Sequence, residues 1–197
     1  MYENKIIKEP KWKSWIIQTT TPLFTPDQCN QIIASGRAQK PQNAQVGTNK
    51  PGGGTDTKKR ITTIGWIPFK EMGHMYQDLN NFIQAANENH FGFGDIRITE
   101  NAQFTEYPEG GFYDWHMDCD VNMTHEPPVR KISMTLLLND PAEFEGGELE
   151  IMSPGKYAPL KQGHAICFAS FLNHRVSKVT RGMRQSLVVW FGGKPFR

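Results

Sequence analysis

From about residue 96 onward the chain repeats one pattern, and that pattern limits its fold more than anything else. In "KISMTLLLN" Ile132, Met134, Leu136 and Leu138 alternate with Ser133, Thr135 and Leu137, and "GELEIM" alternates too. "QSLVVWF", residues 185–191, is rich in β-branched and aromatic residues. Alternation with period two suits strands that bury one face. The clusters "YPEGG", "DPAEFEGG" and "SPGK" separate the runs as turns. Short strands joined this way pair antiparallel and close into a sandwich or barrel.

Helices precede the strands. Thr25 is an N-cap, Pro26 opens the first turn, and Gln28 completes a capping box. Cys29, Ile32 and Ile33 form a buried stripe, and Gly36 is the expected end. A second helix is expected over 69–88, where Met72, Met75, Tyr76, Leu79, Phe82, Ile83 and Ala86 recur at intervals of three and four. That stripe reads as core packing. The fold class is therefore mainly β with flanking helices, with helical support over about 1–95 and a β core over about 96–193. One domain suits the 197 residues, which suffice to bury roughly 70% of the unfolded surface without disulfides.

Composition excludes several functions. A net charge of +2 and a pI near 8.4 are too mild for a nucleic-acid or membrane surface. "MYENKIIKEP" lacks the apolar stretch of a signal peptide, and no run approaches a membrane span. Three unpatterned cysteines, Cys29, Cys119 and Cys167, fit a reducing compartment, with the cytoplasm as the default. Residues 41–60 hold almost no large apolar groups and three consecutive glycines. They read as a mobile loop, either a surface insertion or a lid bearing Lys50, Lys58, Lys59 and Arg60.

The chemistry concentrates in "GFYDWHMDCD", residues 111–120. His116 and Asp118 would diverge on a helix but share one face of a strand, together with Phe112 and Asp114. An imidazole and a carboxylate on one face are two thirds of the facial triad that holds non-haem Fe(II). The third ligand should be a histidine from a neighbouring strand. His174, after the strand-like "HAICFAS", is the best candidate. His74, His90, His125 and His164 read as ordinary structural histidines. Arg184 shares a strand face with Ser186, Val188 and Trp190. A guanidinium among apolar groups needs an anion, either an acidic neighbour or an organic acid such as a dicarboxylate.

Tyr107, Gly110, Tyr113, His116 and Asp118 reproduce the Y-x-x-G-x-x-Y-x-x-H-x-D run of prolyl 4-hydroxylase-like Fe(II)/2-oxoglutarate dioxygenases. "FEGGELEI" resembles the strand and turn that follow, and "HRVSKVTRGMRQSLVVWF" the distal-histidine and co-substrate strands. "GGFYDWHMD" is most similar to the PKHD-type hydroxylases, and the resemblance covers about residues 60–193. It implies a double-stranded β-helix, a jelly-roll or cupin-like core, with iron on His116, Asp118 and His174. It further implies 2-oxoglutarate on Arg184, with Tyr107, Ser186 and either Ser133 or Thr135 assisting. Tyr113, Trp115, Trp190 and Arg60 would then face the substrate.

The implied reaction couples decarboxylation of 2-oxoglutarate by O2, to succinate and CO2, with hydroxylation of a substrate C–H; ascorbate is the implied reductant. A prolyl residue in a peptide or protein is the expected target, and a free amino acid or other small metabolite the alternative. Nucleic-acid demethylation on the same fold is disfavoured by the mild charge, and by Trp190 standing where a second arginine would be. A non-catalytic jelly-roll binding module is the remaining rival.

Overall fold

A computed structural model of the chain describes residues 14–43, 57–119, 128–153 and 158–194. Most of the expected loop, including Lys50 and the three glycines, lies outside the described residues, as does His125. In chain order the elements are β1 (Ile16–Gln18), α1 (Pro26–Ala38), β2 (Gln42–Asn43), β3 (Arg60–Ile61), β4 (Thr63–Ile67) and α2 (Gly73–Ala86). A π-helical turn (Asn87–Phe91) leads to β5 (Arg97–Ile98), β6 (Ala102–Tyr107), β7 (Phe112–His116) and β8 (Val129–Leu137). Then follow β9 (Phe144–Gly146), β10 (Leu149–Ile151), β11 (Ala165–Ala169), β12 (His174–Val176), β13 (Val179–Gly182) and β14 (Arg184–Gly193).

Among the described residues the larger sheet runs β1-β11-β8-β14-β6-β4-β2, with β5 also on β14. The smaller sheet runs β10-β12-β7-β3, and β9 pairs with β13. The described pairings are antiparallel. Together they make the expected double-stranded β-helix. Alternation decides which way each long strand faces. Ile132, Met134 and Leu136 of β8, with Leu187, Val189 and Phe191 of β14, join the buried stripes of both helices in one core. Ser133, Thr135, Ser186 and Trp190 occupy the intervening positions and turn toward the smaller sheet.

The N-terminal part is more than helical support. β1 pairs with β11 and β4 with β6, extending the larger sheet, while β3 pairs with β7 in the smaller one. These strands are two to five residues long. Their own pattern is weak because partners bound late in the sequence stabilise them.

Both helices form, with altered ends. The Thr25 capping box is present, the hydroxyl accepting from the Gln28 N–H and the Gln28 side chain accepting from the Thr25 N–H. Gly36 does not end α1 but lies inside it against Phe104 of β6, where a Cβ would fall 2.2 Å from the ring. The glycine is there for close approach of helix and sheet. Gly36→Ala is therefore expected to destabilise the protein. Better helix propensity contributes about 1 kcal/mol, but overpacking costs about 1–3 kcal/mol, and Phe104 is already buried. A lowered urea midpoint at unchanged m-value would show it. The second helix starts at Gly73 rather than 69, because Pro68 first makes a turn whose carbonyl accepts from Glu71 N–H at 3.0 Å. It ends through the π turn, which Gly92 closes at φ +71°.

Candidate active site

The register of the smaller sheet sets His116 of β7 directly opposite His174 of β12. Directly opposed residues point to one face, and the two imidazole centroids lie 4.1 Å apart. The strand expected to continue through 118 stops at His116. There the N–H groups of Asp118 and Cys119 both donate to the Ser170 carbonyl at 3.0 Å, bending the chain. The bend brings the Asp118 carboxylate alongside both rings. Its Oδ1 is 3.6 Å from His116 Nε2, and its Oδ2 is 3.5 Å from His174 Nε2. Asp114, placed on the same face by simple alternation, is exposed and caps the Trp115 N–H with its own carboxylate.

The ring orientations suit metal binding. His116 Nδ1 lies 2.8 Å from the Asp114 carbonyl, and His174 Nδ1 lies 3.0 Å from the Leu172 carbonyl. A carbonyl only accepts, so Nδ1 carries the proton and both Nε2 atoms keep a free lone pair. The three ligand atoms lie within 4.8 Å of one another. Two imidazole nitrogens and one carboxylate oxygen on one side of a cavity are the donor set of non-haem Fe(II), and they leave further positions open. Burial, His174 and other nearby charges push the His116 pKa down to about 4, against the pull of Asp118. Burial alone would raise the Asp118 pKa. His174, His116, Arg130 and the Ser133 hydrogen bond outweigh it and bring the carboxyl to about 2.

Ser133 is engaged with a metal-ligand candidate. Its hydroxyl donates to Asp118 Oδ2 at 2.7 Å and meets the Ser170 hydroxyl at 2.9 Å, all three groups lying deep in the wall. Ser170 thus holds Asp118 twice, by its carbonyl and through Ser133. Thr135, two residues along β8, lines the cavity instead. Removing the hydroxyl in Ser133→Ala is expected to weaken Fe(II) or Co(II) binding by about 10-fold to 100-fold, as for other groups that orient a metal ligand. Metal titration of the folded variant measures this. An unchanged affinity would show that the backbone bend alone places Asp118.

Arg184 opens β14 and is 3% exposed. It pairs in register with Tyr107 of β6, and its guanidinium carbon lies 5.6 Å from that ring. One Nη1–H donates to Ser186 Oγ at 2.8 Å, and Ser186 is in turn held at 2.6 Å by Thr105 Oγ1. Ser186 therefore orients the guanidinium. Among the described residues no carboxylate lies within ion-pairing distance of Arg184. Burial pushes its pKa down, against Tyr107 and Glu148. A buried guanidinium without a counter-ion is costly, and a bound carboxylate would remove that cost. Gly147, in the "FEGG" turn, lies so close that a Cβ would meet Arg184 Cδ at 2.9 Å. A cavity of about 620 Å³ holds the triad, Tyr107 and Thr135. A second, of about 570 Å³, reaches Arg184, and Leu149 borders both.

The aromatic residues divide. Tyr113 stacks on His116 at 3.5 Å and carries the Arg60 guanidinium at 4.4 Å. Trp115 is half-exposed at the rim beneath Arg175. Trp190 is 5% exposed and stands 6.0 Å from Trp66, with Arg130 over its ring at 3.8 Å. Trp66, Gln103, Thr105, Arg130 and Ser170 join the site without having been singled out in the sequence. Arg130 was hidden for a physical reason. Strict alternation puts it on the core face with Ile132, but pairing jumps from Phe191↔Ile132 to Gly192↔Arg130. The extra residue, Lys131, is a bulge that turns Arg130 to the cavity.

The model of the 2OG-Fe(II) oxygenase superfamily matches residues 102–192. A PKHD-type hydroxylase of Psychrobacter sp. (strain PRwf-1) is 33% identical over 124 residues, covering 58% of this chain and 48% of the relative. The chain spans less than half the length of the curated relatives it matches. Two solved structures share the fold. A prolyl-4-hydroxylase of Pseudomonas putida superposes with a TM-score of 0.67 at 22% identity, over 91% of this chain and 93% of the other. A prolyl hydroxylase of Trichoplax adhaerens, in complex with a hypoxia inducible factor oxygen degradation domain peptide fragment, gives 0.66 at 19%, over 90% and 83%. The match over residues 102–192 takes in the strands that bear His116, His174 and Arg184 and the bend that bears Asp118, and over that segment the chain is similar to 2OG-Fe(II) oxygenases and PKHD-type hydroxylases.

Proposed function

We propose that this protein is an Fe(II)- and 2-oxoglutarate-dependent hydroxylase acting on a prolyl residue of a peptide or protein. The observation that carries the reading is two sites side by side. A His-Asp-His cluster and a buried guanidinium, without a carboxylate partner among the described residues, border two cavities that share Leu149 in their walls. A metal site or an acid site alone would fit many activities.

When bound, Fe(II) with 2-oxoglutarate and O2 supplies the oxidative decarboxylation that gives succinate and CO2 and puts one oxygen on the substrate. The chain's residues bind and orient. His116, Asp118 and His174 would hold the metal, and the backbone carbonyls on Nδ1 and the hydroxyl of Ser133 keep those donors aimed. Arg184, steadied by Ser186 and Thr105, clamps the far carboxylate of the co-substrate, with Tyr107 and Thr135 closing the pocket around it. Tyr113, Leu149 and Val176 line the same space and keep it poor in water. Trp190 has a buried indole N–H without an acceptor on the cavity wall, suited to a substrate carbonyl. The prolyl peptide reading rests on likeness to prolyl hydroxylases, one of them bound to a peptide fragment. Among the described residues no helix is long and apolar enough to cross a membrane.

The test is incubation with Fe(II), ascorbate, 2-oxoglutarate and O2, following succinate and the mass of candidate peptides. Iron-dependent succinate together with a peptide gaining one oxygen is the expected result. Neither product, from protein shown to hold the metal, would overturn the assignment. A free amino acid or other small metabolite is the second reading, favoured by one cavity residue, Arg60.

A further inference from the structure

We propose that Arg60 is a specificity residue that binds a carboxylate of the substrate, so that the enzyme selects acidic molecules; this rests on the oxygenase reading above. Arg60 opens β3, which pairs with β7 so that Arg60 stands opposite Tyr113. Its guanidinium is fixed on two sides. It lies over the Tyr113 ring at 4.4 Å, and its Nη2 donates to Gln103 Oε1 at 3.0 Å. Neither partner carries a negative charge. Its Nε is buried with no acceptor, and among the described residues no carboxylate ion-pairs with it.

The neighbouring guanidiniums make the contrast. Arg130, in the same cavity wall, is gripped by both Glu100 oxygens at 2.7 and 2.6 Å. Arg175 is held by both Glu150 oxygens at 3.0 Å. Among the described residues two cavity-lining guanidiniums, Arg184 and Arg60, have no carboxylate partner. In the reading proposed above, the co-substrate would bring one carboxylate to Arg184, and its other end would be taken up by the metal. Among the described residues nothing supplies a carboxylate to Arg60, which leaves it for one that the substrate brings.

Position supports the assignment. The Tyr113 ring stacks on both Arg60 and His116, so a carboxylate on Arg60 sits about one ring from the metal face. The C–H to be oxidised then lies only a few bonds from its acid group. Lys59 lines the same mouth and adds positive charge. A preorganised guanidinium with donors to spare discriminates strongly between a carboxylate and its uncharged amide. The acid could be the α-carboxylate of an amino acid or an acidic side chain of a peptide.

The experiment separates these sources. Fe(II)-loaded protein with 2-oxoglutarate is offered each free L-amino acid beside its primary amide, and acetylated proline-centred peptides with a flanking glutamate or glutamine. Substrate-stimulated succinate release and oxygen incorporation are read for the parent, Arg60→Gln and Arg60→Lys. The parent should favour acid over amide by about tenfold or more. The preference should fall to within about twofold in Arg60→Gln and stand between in Arg60→Lys. A purely structural role in supporting Tyr113 would slow acid and amide alike and leave their ratio unmoved. Overturning results are an acid-to-amide ratio near one in the parent, a ratio unchanged in Arg60→Gln, or no stimulation by any acid while slow succinate release persists. Absence of all iron-dependent succinate in the parent would instead sink the oxygenase reading.

Discussion

His174→Ala is expected to reduce succinate formation by about a hundredfold or more and to leave Fe(II) weakly held. The site has one imidazole from each of two adjacent strands and one carboxylate from a bend. Deleting the distal imidazole leaves two donors, which cannot define a face. His116→Ala and Asp118→Ala should do the same. His174 is the most informative of the three, because it is the ligand far in sequence from the other two. It is 5% exposed and contacts Phe168 edge-on at 4.6 Å. The alanine variant will therefore also lose some packing, so metal affinity and thermal unfolding should be measured on the same sample. His174→Gln, which retains more of the side-chain volume, separates the two effects. Stable variants that keep parental Fe(II) affinity and turnover would remove His174 from the site.

How much of this was legible in the sequence depends on where the determining contacts lie. β8 and β14 were readable because their alternation is long, and the core it predicts is the core observed. His116, Asp118, His174 and Arg184 were readable as residue types whose chemistry is hard to explain otherwise. Their convergence depends on register, which the sequence shows only by resemblance. Hydrogen-bond partners were the least legible. Ser133 and Thr135 both face away from the core, and alternation cannot say that one holds Asp118 while the other lines the cavity. Ser186 reads as a co-substrate contact, and the structure adds that its hydroxyl accepts from Arg184.

The misplaced features share one cause, the neighbour overriding the local signal. Gly36 has the composition of a helix end, yet Phe104 across the interface needs it in the interior. Arg130 has the parity of a core residue, yet the Lys131 bulge reverses it. β3 is two residues long and has almost no pattern, but it carries Arg60 to Tyr113. Each departure lies at or beside the cavity or at a tight helix–sheet contact, where local preference is commonly sacrificed to tertiary geometry.

Arg184→Ala should separate co-substrate binding from metal binding. The guanidinium is buried, points along a wall with no carboxylate of its own, and is oriented by Ser186. If it meets the far carboxylate of 2-oxoglutarate, its loss strands that carboxylate in a dry pocket. Truncating one member of a buried charged pair costs about 3–5 kcal/mol, so the co-substrate requirement should rise by roughly two to three orders of magnitude. The metal ligands sit on β7, β12 and the bend after β7, none of which carries Arg184, so Fe(II) or Co(II) affinity without co-substrate should change little. Arg184→Lys should recover only part of the loss, because one ammonium cannot reproduce a two-pronged contact and has no planar edge to rest on Ser186. Titration of 2-oxoglutarate into anaerobic, metal-loaded protein measures the effect without turnover. Equal co-substrate affinity in the parent and the alanine variant would show that the carboxylate lies elsewhere, and that Arg184 answers to another anion in the adjoining cavity.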